Sequence, residues 1–150
     1  MKLFLLIASI FFGQVAYSQS NTMKNLVEEY PDATTFVIYH SHFTMLNQHD
    51  DPEIAALAAS IDKIKVLTLD NFTPDAKKKL VSEIKEEGFE ELMVIKHKGS
   101  DIAAYLMEDD GDIEGYFLIA KTENNTMAID VIGSPDPKQI GKIIDTVKNH

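Results

Sequence analysis

The sequence predicts an α+β domain in which helices pack on a mixed sheet of about six strands. Three observations support this prediction. Apolar residues recur at helical spacing in several segments, and six β-branched or aromatic runs are bounded by turn-forming residues. Their order is β-α-β-α-β, then strands alone, then a C-terminal helix, which is typical of strand-helix-strand units continued as an antiparallel meander.

The N-terminus has the pattern of a secretory signal peptide. One basic residue, Lys2, precedes an apolar stretch over residues 3–12, and residues 16–18 (AYS) have the small-x-small arrangement that signal peptidase recognises. The stretch is shorter than the ~20 apolar residues that span a bilayer. We expect cleavage before Gln19, a single α+β domain over residues 19–150, and a periplasmic or secreted protein without a stable membrane span. The alternative is an uncleaved anchor or a helix of the fold.

Helix signals recur in the first half of the chain. An amphipathic helix is expected around residues 25–30. Asp51-Pro52 and Thr73-Pro74 each combine an N-cap residue with a proline in the first turn, and Gly88 ends the helix that Thr73 opens. Between these helices, β-branched and aromatic runs predict strands over residues 34–39 and 64–69.

Four more strands are predicted in the second half, separated by turn clusters, so an antiparallel meander is the simplest arrangement. They are expected over residues 92–96, 102–107, 115–121 and 127–132. A final helix follows the segment SPDP at residues 134–137. Its apolar residues keep the i, i+3, i+4, i+7 spacing of one stripe: Ile140, Ile143, Ile144 and Val147.

The charged residues exclude several function classes. Twenty-four acidic residues face fourteen basic ones, for a formal net charge of −10, and all fourteen are lysines. Arginine is the preferred side chain for phosphate and base edges, so we expect no nucleic-acid partner and no anionic membrane surface. The sequence has no cysteine, which excludes a disulfide, a thiolate nucleophile and lipidation at an N-terminal cysteine. The protein is therefore expected not to be a lipoprotein.

No catalytic motif is present in the sequence. The G-x-S-x-G elbow, the H-E-x-x-H zinc motif, the P-loop and the dinucleotide fingerprint are all missing. We therefore expect a non-enzymatic protein without a cofactor.

The segment FVIYHSHF raises the question of a metal site. His40 and His42 would share a face if the strand continued through both, which is an arrangement that zinc or copper could use, with His49 as the next donor. In the competing interpretation the strand ends at about His40 and Ser41 caps a short helix. The two rings would then diverge by about 200 degrees on the helix surface. A full ligand set is missing, so no metal is expected.

Two charged runs have simpler explanations than ligand binding. The acidic run over residues 108–112 lacks the first oxygen ligand of a calcium loop, and Asp-Gly within it is typical of a hairpin turn. Lysines 77–79 lie on a helix that already has an apolar stripe, so they are expected to form a solvated face.

An interaction surface is the remaining functional expectation. The strands around residues 92–95 and 116–119 are apolar on both alternating faces, so both faces of the sheet need cover. If the helices crowded onto one face, Tyr105, Phe117 and Ile119 would be left for an unknown protein partner or a second copy. A metal or small-ligand binder using the His40/His42 region is the alternative function.

Four segments resemble one known family. They are IDKIKVLTLD, TPDAKKKLVSEIKEEGFEELMVIKHKG, DIAAYLMEDDGDIEGYFLIAK and AIDVIGSPDPKQIGKI, and together with the exported N-terminus they resemble the DUF4252 family of exported proteins from Bacteroidota. The resemblance covers nearly all of the mature chain and implies a periplasmic or secreted setting. It supplies no catalytic or ligand residue to carry over.

Overall fold

Five helices and six strands make up the described part of the chain. The computed structural model describes residues 19–47 and 49–148. The helices are α1 Asn21–Glu29, α2 His40–Leu46, α3 Pro52–Ser60, α4 Pro74–Glu87 and α5 Pro137–Lys148. The strands are β1 Thr34–Tyr39, β2 Ile61–Leu69, β3 Glu90–His97, β4 Ser100–Asp109, β5 Asp112–Lys121 and β6 Thr126–Gly133.

The six strands form one sheet in the order β1-β2-β6-β5-β4-β3. The α+β class and the meander from β3 to β6 are confirmed. The expected mixed sheet is wrong, because all five neighbouring pairs are antiparallel. Two short helices, α2 and α3, connect β1 to β2 and reverse the chain direction, so the two strands pair antiparallel. The longer helix α4 then carries the chain from β2 to the far edge at β3.

One face of the sheet is covered by α1 and α4. Met23 and Leu26 of α1 and Leu80 and Ile84 of α4 are buried in a cluster with side chains of the inner strands. The expected interaction residues belong to this cluster, with exposed fractions of 3% for Tyr105, 0% for Phe117 and 1% for Ile119. Helices lie on both faces of the sheet, so neither face is left open for a partner. The prediction that these three side chains form an interaction surface is therefore wrong, and they are core residues.

The other face is covered by α5, helped by Phe43 of α2 and Leu57 of α3. Ile140 and Ile144 are fully buried, as the apolar stripe of this helix predicts. Tyr116 points into the same layer and its hydroxyl donates a hydrogen bond to the backbone carbonyl of Pro135. Burial raises the pKa of Tyr116 to about 12, with smaller contributions from Asp136 and Glu108. This hydrogen bond fixes the turn that leads into α5.

Local capping chemistry sets most helix ends where the sequence predicts them. Asp51 accepts a hydrogen bond from the backbone N–H of Glu53, and Thr73 accepts one from Ala76. Gly88 ends α4 in the left-handed conformation at φ 112°. The sequence predicts the start of α1 near residue 25, but the helix begins at Asn21. Ser20 is its N-cap, and its hydroxyl accepts a hydrogen bond from the backbone N–H of Met23.

The acidic run forms a tight hairpin. Asp110 and Gly111 lie between β4 and β5 with φ values of 51° and 84°. Two consecutive positive φ values are typical of a type I′ turn, for which Asp-Gly is a preferred pair. The hairpin interpretation of these residues is confirmed.

The predicted signal peptide, residues 1–18, lies outside the described residues. None of the helices between residues 19 and 148 that the structure describes combines the length and the apolar content needed to cross a bilayer.

Candidate functional site

Strand β1 forms one edge of the sheet, and its backbone pairs with β2 on one side only. Its sequence, TTFVIY, has no charged residue, no proline and no bulge in its register with β2. Natural proteins usually protect such an edge with charges, prolines or bulges, because the unpaired N–H and C=O groups can pair with another strand. None of these protections is present within β1.

Most of the strongly exposed apolar side chains lie in β1 and in the two helices that follow it. Five large apolar side chains are strongly exposed among the described residues, and four of them lie in β1, α2 or α3: Phe36, Tyr39, Met45 and Ile54. Phe36 is 59% exposed and Tyr39 is 51% exposed. The two rings lie at positions of opposite parity in the strand, so they project from opposite faces. An added strand could therefore contact apolar surface on both of its sides. We call β1, with its exposed Phe36 and Tyr39, the β1 edge surface.

Polar groups at one end of β1 hold Tyr39 in place. The Lys63 ammonium lies 5.8 Å from the centroid of the Tyr39 ring, and the His42 ring centroid is 6.2 Å from it. A lysine over an aromatic face is attracted by the ring quadrupole. These contacts position the exposed ring without covering it.

Both histidines of the pair lie in the first turn of α2. The strand ends at Tyr39, which is the N-cap residue of α2 but makes no side-chain cap hydrogen bond. Ser41 is therefore inside the helix and is not its cap, which corrects that detail of the helix interpretation. His40 and His42 are two residues apart on α2 and so point in different directions.

In the part of the chain that the structure describes, the three candidate metal ligands, His40, His42 and His49, belong to no cluster that could hold a metal. Among the described residues no group of three or more His, Asp or Glu side chains is suitably placed.

His40 faces a small pocket of its own. Its Nδ1 lies 3.0 Å from the backbone carbonyl of Ile61, so in the neutral ring Nδ1 carries the proton and Nε2 is an acceptor. A pocket of about 300 Å³ lies beside it, lined also by Asn47, Asp50 and three alanines. Asp50 adopts a positive φ of 49°, which is uncommon outside glycine. The arrangement offers acceptors to a small polar ligand.

A buried carboxylate that the sequence analysis did not select anchors α1 to the sheet. Asp130 of β6 is 3% exposed, and its Oδ2 accepts hydrogen bonds of 2.9 Å from both the backbone N–H and the hydroxyl of Ser20. Glu87, at the end of α4, accepts from the backbone N–H groups of Asn21 and Thr22 and from the Thr22 hydroxyl. Two carboxylates thus satisfy the N–H groups that begin α1.

Burial raises the pKa of Asp130 above its ordinary value, and the nearby Glu87 adds to the rise. The two Ser20 hydrogen bonds and the Lys63 charge act in the opposite direction without cancelling it. A sequence signal for this residue exists, since Asp130 interrupts the apolar run of AIDVIG. A single acid in a buried strand needs hydrogen-bond partners. Its role here is to hold α1, because its Oδ2 accepts both hydrogen bonds from Ser20.

Comparisons with known proteins agree with the family resemblance. The family model DUF4252, described as a domain of unknown function, matches residues 24–143, which is more than half of the chain. The matched region includes every strand of the sheet and helices α2, α3 and α4. No curated protein matches the chain. The chain therefore belongs to the DUF4252 family.

Proposed function

We propose that this protein is an exported, non-enzymatic interaction module that associates with a second copy of itself through the β1 edge surface. The observation that carries the proposal is the uncharged edge strand, TTFVIY, with Phe36 and Tyr39 more than half exposed. The unpaired backbone groups of an edge strand can form hydrogen bonds with an extended strand of a partner. Antiparallel addition of β1 to β1 of a second copy would extend the sheet from six to twelve strands.

The absence of charged residues in β1 makes this position suitable for a second copy. Two chains that each carry a formal net charge of −10 repel one another, so an association surface should lack carboxylates. Self-pairing of β1 places only Thr, Phe, Val, Ile and Tyr side chains opposite one another. Such β-branched and aromatic pairs stabilise neighbouring strands. The six residues of β1 can thus pair with the same six residues of a second copy without bringing like charges together. Most of the acidic surface could not do so.

The expected association is weak. A six-residue strand pair with a few apolar side chains buries less than the ~1,600 Å² of a standard stable interface. We therefore expect dissociation in the micromolar range or above, with monomer and dimer exchanging as concentration changes.

Sedimentation or light scattering across protein concentrations tests the proposal on protein purified after export. The wild-type protein should shift from monomer to dimer, and Phe36→Lys should raise the Kd by at least tenfold because it places two like charges in the contact. Val94→Lys is the matched control, since Val94 is 46% exposed on the opposite edge strand β3. A wild-type protein that stays monomeric at millimolar concentration, or equal effects of the two variants, would overturn the proposal.

Export is the second part of the proposal. The sequence pattern of residues 1–18 supports it, and cleavage before Gln19 would leave the Ser20 cap of α1 intact. N-terminal sequencing of protein recovered from the periplasm or the medium should begin at Gln19. Recovery of the intact precursor in the cytoplasm would contradict export.

A ligand site at His40 is the alternative function, favoured by the fixed tautomer of that ring and the pocket beside it. Titration of the His40 Cε1 proton by NMR against a panel of metal ions and small polar compounds would test it. Saturable shifts that disappear in His40→Phe but persist in His42→Phe would support a site at His40. Equal loss in both variants would instead indicate a shared metal site.

A further inference from the structure

A pocket beside the start of α4 has a charge that does not match the rest of the protein. It has a volume of about 420 Å³ and lies between α4 and the ends of β5 and β6. Lys77, Lys78 and Lys121 line it, and none of the described lining residues is an acid. Acids outnumber lysines in the whole chain by twenty-four to fourteen. The lining of this pocket is therefore basic in a protein that is acidic as a whole.

Among the described residues, the ammonium groups of these three lysines have no ion-pair partner. Within the part of the chain that the structure describes, Lys77, Lys78 and Lys121 make no ion pair, whereas the adjacent Lys79 pairs with Glu29 at 3.1 Å and Glu83 at 3.8 Å. The lysine run expected to be one solvated face thus divides into two parts. Lys79 links α4 to α1, and Lys77 and Lys78 line the pocket.

Apart from Thr73 and Thr126, the remaining lining of the pocket is apolar. Phe72, Pro74 and Val81 contribute to the lining, and Phe72 is fixed by an edge-to-face contact with Tyr30 at a centroid distance of 5.8 Å. The proposed site does not depend on anion binding by the N-terminus of α4, since Thr73 already accepts a hydrogen bond from the backbone N–H of Ala76. A volume of this size, with apolar walls and a few convergent polar groups, is typical of small-molecule sites.

We propose that this pocket binds a small anionic amphiphile, a molecule with one carboxylate or phosphate head and a short apolar chain. The lysine ammonium groups neutralise the head at the rim, and the chain lies against the apolar walls. This pocket is formed by α4, β5 and β6, so the proposal is independent of association through β1.

Isothermal titration of the purified protein with octyl phosphate and octanoate tests this inference. Both should bind saturably, and added salt should weaken both because Lys78 and Lys121 are exposed and Lys77 is partly exposed. Butyl phosphate should bind at least tenfold more weakly, since each buried methylene strengthens binding about fourfold. Octanol should not bind measurably. Equal affinity for octanol and octyl phosphate, or for inorganic phosphate and octyl phosphate, would overturn the proposal.

Two matched variants locate the binding. The triple change Lys77→Gln, Lys78→Gln, Lys121→Gln should weaken octyl phosphate binding by at least tenfold, given up to about fivefold for each exposed charge pair. The control triple Lys24→Gln, Lys85→Gln, Lys96→Gln removes the same charge from exposed positions outside the pocket and should leave the affinity unchanged. Equal weakening by both triples would show a general charge effect and would refute the site. Co-sedimentation with anionic vesicles then distinguishes a lipid head group from a free amphiphile as the source of the ligand.

Discussion

The two edges of the sheet differ in how they are protected. Strand β3 has Glu90, Glu91, Lys96 and His97 within eight residues, and its register with β4 shifts after Glu91. Strand β1 has no charged residue and pairs with β2 without a register shift. Charges and bulges discourage the addition of another strand, so β3 is a protected edge and β1 is an open one.

This difference shows that surface chemistry, and not fold position, distinguishes the edges. Both strands end the same antiparallel sheet, and both have one exposed apolar residue near the middle, Phe36 in β1 and Val94 in β3. Around Val94 the neighbouring charges would have to be desolvated in a contact, which is costly. No residue of β1 is charged, so a contact around Phe36 does not require this desolvation. The same geometry is therefore suited to association at one edge only.

The largest expected effect is a loss of stability when a residue of the central strand β5 is changed. Phe117 in β5 is fully buried and contacts Phe89 edge to face, with ring centroids 6.1 Å apart. Phe117→Ala should lower the free energy of unfolding by about 3–5 kcal/mol. Phe36→Ala should lower it by less than about 1 kcal/mol, because the ring is mostly exposed. Urea denaturation measures both. Similar losses would mean that β1 is part of the core and would remove the distinction between edge and centre.

A charge-swap experiment sharpens the difference between the edges. Phe36→Lys and Phe36→Glu should each weaken self-association by at least tenfold, and mixing the two proteins should restore it, because an opposite-charge pair can form across the β1 contact. The expected recovery is about tenfold in Kd relative to either variant alone. Val94→Lys and Val94→Glu, alone or mixed, should leave the Kd of self-association unchanged. Sedimentation of the mixed samples reads out both outcomes, and recovery at Val94 would place the contact on the wrong edge.

The smallest expected effect is a pH dependence that leaves both edges unchanged. The pKa of Asp130 is raised in the folded protein, so between its ordinary value near 3.8 and the raised value the folded state holds more protons than the unfolded state. Stability should therefore fall as the pH rises through this window, and Asp130→Asn should lose that slope. Denaturation midpoints at a series of pH values test this. If the slope persists in Asp130→Asn, another group is responsible.

The candidate sites depend on residues that sequence patterns alone could not bring together. Phe36 is one apolar residue in an ordinary strand pattern, and only the strand order makes β1 an edge. The pocket joins Lys77 and Lys78 of α4 to Lys121 of β5. Local periodicity specifies which face of an element is apolar, but it carries no information about which distant element covers that face.

The sequence by itself determined the local structure: the caps at Asp51 and Thr73, the left-handed Gly88, the Asp110-Gly111 hairpin and the family. These features depend on interactions within a few residues, so the chain specifies them directly. Only the tertiary structure decided the pairing of β2 with β6, the cover on both sheet faces and the contact between Ser20 and Asp130. Those contacts join residues far apart in the chain, and they form because the whole set of apolar faces must be buried at once.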